Sequence, residues 1–449
     1  MTGWSLTQPL IPAQSRGIDP VEPIGASSPK PDAVTALSIF LFALMIIPSD
    51  LIVGAFGAAG RPATLIAGAL LGWYLLARAH PDLTVDTGRQ PVRTAAIVLA
   101  CSVLASYVSA NLTALTVTQQ NAADRGLILL AGWLGVLLVA ADGIRSEARL
   151  VTLCRRIVLG ATIMAALGIA EFATGIDLTK YVTLPGLAAH LQVTDLMTRF
   201  GLTRANSTAA QPLELSAVLA ISLPLAIHQA RYATERLRRR QWLQAAVIAA
   251  GIPMAVSRSA LIALAVMAVL LVPTWPARQR RLAYAGLAAC TAGLLLITPS
   301  FIAIFGKVFG ELGSDTSTTS RSDALSLAGP LIGAHPWFGA GLATFNPQLT
   351  FFVDDQFVTS LIETGVVGLL AVLSVFVAGW YVARKLRARP LPQRTRDLGH
   401  ALFAAIAVAA IFFASFDVLS FSIASNLFFL IVGCAGAAYR LSAVRRSLG

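Results

Sequence analysis

The stretch WLQAAVIAAGIPMAVSRSALIALAVMAVLLV, residues 242–272, decides how the rest of the chain is read. Two apolar runs, 242–256 and 260–272, enclose a single guanidinium in Val256-Ser257-Arg258-Ser259-Ala260. An arginine stays charged at any physiological pH, and holding one at a bilayer centre costs roughly 2.5–3.5 kcal/mol. Helices that only had to cross would carry Ala or Leu there. The pattern predicts two membrane helices joined by a tight turn, with Arg258 kept at the surface for use.

Composition extends this reading to the whole chain. Of 449 residues 56% are hydrophobic and only 12% charged, with a mean hydropathy of +0.73. Soluble domains carry about 25% charged residues, so a polytopic, all-α membrane protein is expected. Apolar segments of spanning length recur at about 33–48, 62–78, 93–110, 123–141, 150–170, 212–229, 241–256, 259–275, 282–302, 356–383, 398–416 and 420–439, which predicts twelve helices. With the N-terminus placed in the cytoplasm, 26 of the 34 Lys+Arg fall in inner segments and 8 in outer ones. That bias predicts cytoplasmic termini at both ends of the chain. It also explains the net charge of +12 through topology, so no nucleic-acid partner is implied.

The expected layout is a disordered cytoplasmic tail over 1–32, helices one to nine over 303's upstream side at 33–302, and an extracytoplasmic loop with short helices over 303–355. Helices ten to twelve follow over 356–441, with a basic cytoplasmic tail over 442–449. The four cysteines stand singly in or beside apolar runs and read as packing residues. There is no HExxH, no DxD, no His/Cys cluster at ligand spacing and no GxxxxGK[ST]. Neither a metal nor a nucleotide cofactor is expected.

Two long outer loops, about 175–211 and 305–355, place the chemistry on the outer face. Its few cations are then informative. Arg204 stands just before the sixth predicted helix, Arg258 in the seventh-to-eighth turn, and Arg321 in the large loop. Guanidinium forks bind phosphate oxygens bidentately, so outward arginines near the lipid boundary suit a diphosphate headgroup. Arg61, Arg125 and Lys180 read as interface or ion-pair residues instead. Asp354 and Asp355 adjoin at the mouth of the tenth helix, where mutual repulsion and partial burial suit a general base. The same position suits a helix N-cap. Glu214 and Glu363 lie inside apolar segments, with Arg204 or Arg258 as expected partners, and His335 is the one histidine of the large loop.

Four stretches, in this order, resemble the O-antigen ligase/polymerase superfamily of bacterial envelope glycosyltransferases. They are Arg204 through Pro212-Leu213-Glu214 with Leu223-Pro224-Leu225; Ser257-Arg258-Ser259; Arg321 with Pro336-Trp337-Phe338-Gly339-Ala340-Gly341 and Phe345; and Asp354 through Glu363-Thr364-Gly365-Val366-Val367-Gly368. The likeness covers about 180 residues. One departure stands out: where the family places His-Asn, this chain has Asp354-Asp355. An aspartate can replace that histidine as a base but not as a cation on phosphate.

The resemblance implies an all-helical fold related to the GT-C glycosyltransferases. It implies transfer of a glycan from a polyprenyl-diphosphate carrier to an acceptor hydroxyl at the outer face, with inversion, and without metal or nucleotide. Arg204 and Arg258 would hold the diphosphate with Arg321 third, Asp354 or Asp355 would act as base, and Glu214, His335 and Glu363 would support them. The acceptor is not written in the residues, so a polysaccharide polymerase of the same fold stays open, as does a lipid-linked glycan transporter.

Overall fold

A backbone held away from water must satisfy its own N–H and C=O groups, and in a single apolar run only the α-helix does so. The computed structural model, which describes residues 32–80, 88–113, 115–189, 196–199, 201–297, 326–345, 351 and 353–447, follows that rule. The helices are α1 Ala33–Ile46, α2 Pro62–Ala79, α3 Pro91–Asn111, α4 Val117–Gly143, α5 Glu147–Thr174, α6 Pro212–Arg231, α7 Glu235–Gly251, α8 Arg258–Leu271 and α9 Ala277–Ile297. A short α10 covers 326–334, followed by α11 Gln356–Ala388, α12 Gln393–Phe413 and α13 Ser422–Ser447. Each stretch expected to cross the membrane contains a helix among its described residues, with ends shifted by a few positions. Eight of the described helices, α2 to α6 and α11 to α13, are long and apolar enough to cross one, and α1 and α8 are shorter apolar helices.

Helix starts follow from local chemistry. Proline opens α2, α3 and α6, where its missing N–H has no helical partner anyway. Asp32, Thr116, Ser146 and Asp355 cap α1, α4, α5 and α11 through side-chain oxygens. The core then closes on small residues. A Cβ on Gly135 of α4 would meet the Ala67 carbonyl of α2 at 2.3 Å, and one on Gly433 of α13 would meet the Leu137 carbonyl of α4 at 2.7 Å. Glycine at these crossings lets the helix backbones touch. Phe376, Phe413, Phe428 and Phe429 pack with Trp133 beside them. Outward faces stay apolar, with Phe42, Leu76, Val269 and Leu370 among the exposed side chains, which suits a lipid surround.

Connections alternate between two ends of the bundle, and contacts sort them accordingly. At one end Arg93 meets Asp142 at 3.0 Å, Thr395 Oγ1 donates to Glu147 at 2.7 Å, and Arg231 meets Asp397 at 3.4 Å. This is the basic end. At the other, Ser49 N donates to the Thr208 carbonyl and Leu51–Ile52 pairs antiparallel with Ala188–Ala189. A second two-residue pairing, Thr198–Arg199 with Leu202–Thr203, leads directly into Arg204.

Candidate functional site

The site grows from the segment before α6. Residues 204–210 have no regular structure, so their backbone groups need other partners. Glu171, wholly buried near the end of α5, supplies them: its Oε2 accepts from Asn206 N at 3.1 Å and Ser207 N at 2.6 Å. Ser207 holds a positive φ of 53° in this bend. Thr208 Oγ1 donates to the Met45 carbonyl of α1 at 2.8 Å. Glu214, also wholly buried, accepts from Ala210 N at 2.8 Å and, with its other oxygen, from Ile423 N and Ala424 N at the start of α13. The expected Glu214 pairing with Arg204 or Arg258 is thus replaced by three backbone donors, because an unpaired helix start exposes N–H groups that a carboxylate satisfies well.

This frame delivers Arg204 to the turn that carries Arg258. Ala205 N donates to the Met254 carbonyl at 3.2 Å, and Arg204 Nε donates to the Ala255 carbonyl at 2.9 Å. Between α7 and α8 the chain makes one 3-10 turn, Ile252–Ala255. Val256 then takes φ 46°, a conformation that a β-branched residue adopts only under strain. Gly251 permits the approach, since a Cβ there would lie 2.9 Å from that of Ala165 and 3.0 Å from Leu219. Arg258 is the first residue of α8. A cation at a helix N-terminus opposes the macrodipole, so its presence there needs another reason. Its guanidinium and the first-turn N–H groups of that terminus both attract anions. Arg204 is thus held on the carbonyl of Ala255, three residues before Arg258 in the chain.

The glycine-rich loop shows why its residues are needed. Helix α11 breaks at Gly365, where φ is 66° and ψ −169°. The 336–341 segment fills the break: Val366 N donates to the Pro336 carbonyl at 2.9 Å and Gly341 N donates to the Glu363 carbonyl at 2.7 Å. Ala340 N donates to the Ile362 carbonyl at 3.1 Å. A Cβ on Gly339 would fall 2.3 Å from the Glu363 backbone, and one on Gly365 would fall 2.4 Å from that of Trp337. Both glycines sit at φ 66°, so no other residue fits without rebuilding the crossing. The Glu363 side chain accepts from the backbone N–H groups of Ala343 and Phe345, and Arg125 is the cation near it. Arg125, expected at the interface, therefore belongs to this neighbourhood. Arg61, by contrast, donates to the Ser49 carbonyl at 2.8 Å and holds a loop.

At the mouth of α11 the two aspartates separate in role. Asp355 caps the helix, accepting from Phe357 N at 2.8 Å and Val358 N at 3.2 Å. Asp354 is exposed. Gln356, buried, accepts from Leu419 N at 2.7 Å and so fastens the α12–α13 connection beside them. That connection brings in Asp417, a residue the sequence reading passed over. Burial pushes the Asp417 carboxyl up to about 6, and the charge of Asp354 adds in the same direction. The signal was an acid isolated in the apolar run Phe412-Phe413-Ala414-Ser415-Phe416-Asp417-Val418-Leu419. His335 places its carbonyl on Gly339 N at 3.0 Å and helps to form the loop. Arg321, and His190 of the other outer loop, lie outside the described residues.

No curated protein sequence matches the chain. The family model described as O-Antigen ligase matches residues 243–373, which run from α7 through the Arg258 turn and the glycine loop into α11 but stop short of Arg204 and Asp417. Over that segment, less than a third of its length, the chain is similar to the O-antigen ligase family.

Proposed function

We propose that the protein transfers a glycan from a polyprenyl-diphosphate carrier to an acceptor hydroxyl at the outer face of a bacterial inner or plasma membrane. The Arg204–Ala255 hydrogen bond carries this reading, because it fixes one guanidinium on the turn that presents a second at a helix N-terminus. In this reading the basic end faces the cytoplasm, in keeping with the excess of Lys and Arg there.

Arg204 and Arg258 grip the diphosphate, with Arg321 as a third cation from the large loop. The acceptor oxygen attacks the anomeric carbon from the opposite side, inverting it. The carbon–oxygen bond to the diphosphate breaks and its electron pair stays on the phosphate oxygen, where the guanidiniums stabilise it. Asp354 takes the acceptor proton, since Asp355 is engaged as a cap. Glu363 and His335 act indirectly by shaping the loop.

Purified protein in vesicles, given a polyprenyl-diphosphate glycan and an acceptor, tests the proposal. Arg258→Ala is expected to lower transfer about 10²- to 10³-fold with normal folding. A variant that keeps more than about half of wild-type activity rules out leaving-group stabilisation by this residue. Product length in the same assay separates single transfer from polymerisation.

A further inference from the structure

The basic end holds a second site that the proposed transfer reaction does not use. A cavity of about 70 Å³ opens between the first turns of α5 and α7 and the ends of α6 and α12. That is room for several waters or one phosphate-sized group. Its walls include His228, Gln229 and Gln241, which are only 7%, 8% and 9% exposed. His228 Nδ1, Gln229 Nε2 and Gln241 Oε1 have no hydrogen-bond partner among the described residues. A buried polar atom left unpaired costs roughly 1–3 kcal/mol, so three at one cavity point to a polar occupant.

Charge narrows the class of occupant. Arg155 and Arg394 stand exposed at the rim. Asp397, whose charge acts on His228, is already engaged by Arg231 at 3.4 Å, by the Tyr232 hydroxyl at 2.5 Å and by Gln393 Nε2 at 2.9 Å. Thr234, also lining the cavity, is the N-cap of α7, whose first-turn N–H groups favour an anion. Glu235 in that turn is paired with Arg238 at 3.9 Å and exposed to solvent.

We propose that this cavity binds a phosphate group, bridged at its rim by Arg155 and Arg394 and hydrogen-bonded inside by Gln229 and His228. An ester hydroxyl or a protonated phosphate oxygen would donate to Gln241. The group comes either from an anionic phospholipid of the leaflet at this end or from a soluble phosphate.

Full-length protein, purified and delipidated, is titrated with phosphatidylglycerol or phosphatidylcholine and binding is read by native mass spectrometry. In parallel, inorganic phosphate is added and the unfolding temperature is followed. Phosphatidylglycerol is expected to bind in preference, and Arg155→Gln with Arg394→Gln to weaken that binding about tenfold or more. Stabilisation by inorganic phosphate that the double variant loses, without lipid preference, assigns the site to a soluble ligand. Gln241→Leu, which fills the cavity from a different wall, must produce the same loss. Arg236→Gln with Arg239→Gln, exposed on α7 away from the lining, serves as the control for general basic attraction. The proposal is overturned when the rim variants match wild type in both assays, or when the control variants lose as much binding as they do.

Discussion

At the basic end of the bundle Asp142 receives Arg93 at 3.0 Å and the Tyr74 hydroxyl at 2.8 Å, while Asp32 receives Arg149. At the opposite end the buried acids Glu171, Glu214 and Glu363 accept instead from backbone N–H groups of loops and helix starts. Charge is used for different ends. Where carboxylate meets guanidinium, the pair locks neighbouring helices and little field remains for a ligand. Where a carboxylate meets backbone donors, it fixes the path of a loop, and Arg204 is seated on a carbonyl that orients it without adding a counter-charge. The first arrangement holds a fold together; the second aims a site.

Two substitutions test that contrast from opposite sides. Arg258→Ala should lower transfer about 10²- to 10³-fold while the unfolding temperature stays near wild type. Asp142→Ala should do the reverse: removing one partner of a pair whose side chains are 12% and 1% exposed leaves a cation stranded, costing roughly 3 kcal/mol. Its turnover, measured below the lowered unfolding temperature, should be unchanged. A stability loss in the first variant, or an activity loss in the second, would dissolve the distinction between the ends.

Glu214→Gln probes the same idea at the end opposite the basic one. The amide presents a donor where three N–H groups require an acceptor, so destabilisation of about 2 kcal/mol is expected by thermal unfolding. Transfer should fall only to the extent that the Arg204 segment shifts. A wild-type unfolding temperature would show that the carboxylate does not hold the start of α13.

The helices were legible in the sequence because hydropathy over some twenty residues is a strong, local signal, and each expected stretch from Ala33 onward contains a helix among its described residues. The arginines were legible because a charge beside an apolar run demands a reason. The partners of Glu214 were not. Whether a buried carboxylate meets a guanidinium or a helix start depends on how α6 and α13 pack, and no spacing encodes that. Asp354 and Asp355 could not be told apart either, since the cap depends on where the first turn of α11 begins. The glycines Gly339 and Gly365 were visible as a motif, but their reason, two backbones crossing at about 2.4 Å from any added Cβ, exists only in three dimensions.

The smallest expected effect concerns Asp417, and its sign can be worked out. Its carboxyl sits at about 6 in the folded protein against an ordinary value of 3.8, mainly through burial and further through Asp354. A raised carboxyl favours the folded state fully below 3.8, where it is protonated in both states, and that contribution is lost as pH rises through 6. At pH 7 the charged form is therefore a burden, on the order of 1–2 kcal/mol once partial solvent access is discounted. Asp417→Asn should raise the unfolding temperature at pH 7 and leave it nearly unchanged at pH 4. If Asp354 is the base, turnover of this variant at pH 7 should be largely kept. A fall of a hundredfold or more at pH 7 would instead give the proton transfer to Asp417 rather than Asp354, and burial at this end would then tune chemistry as well as loop geometry.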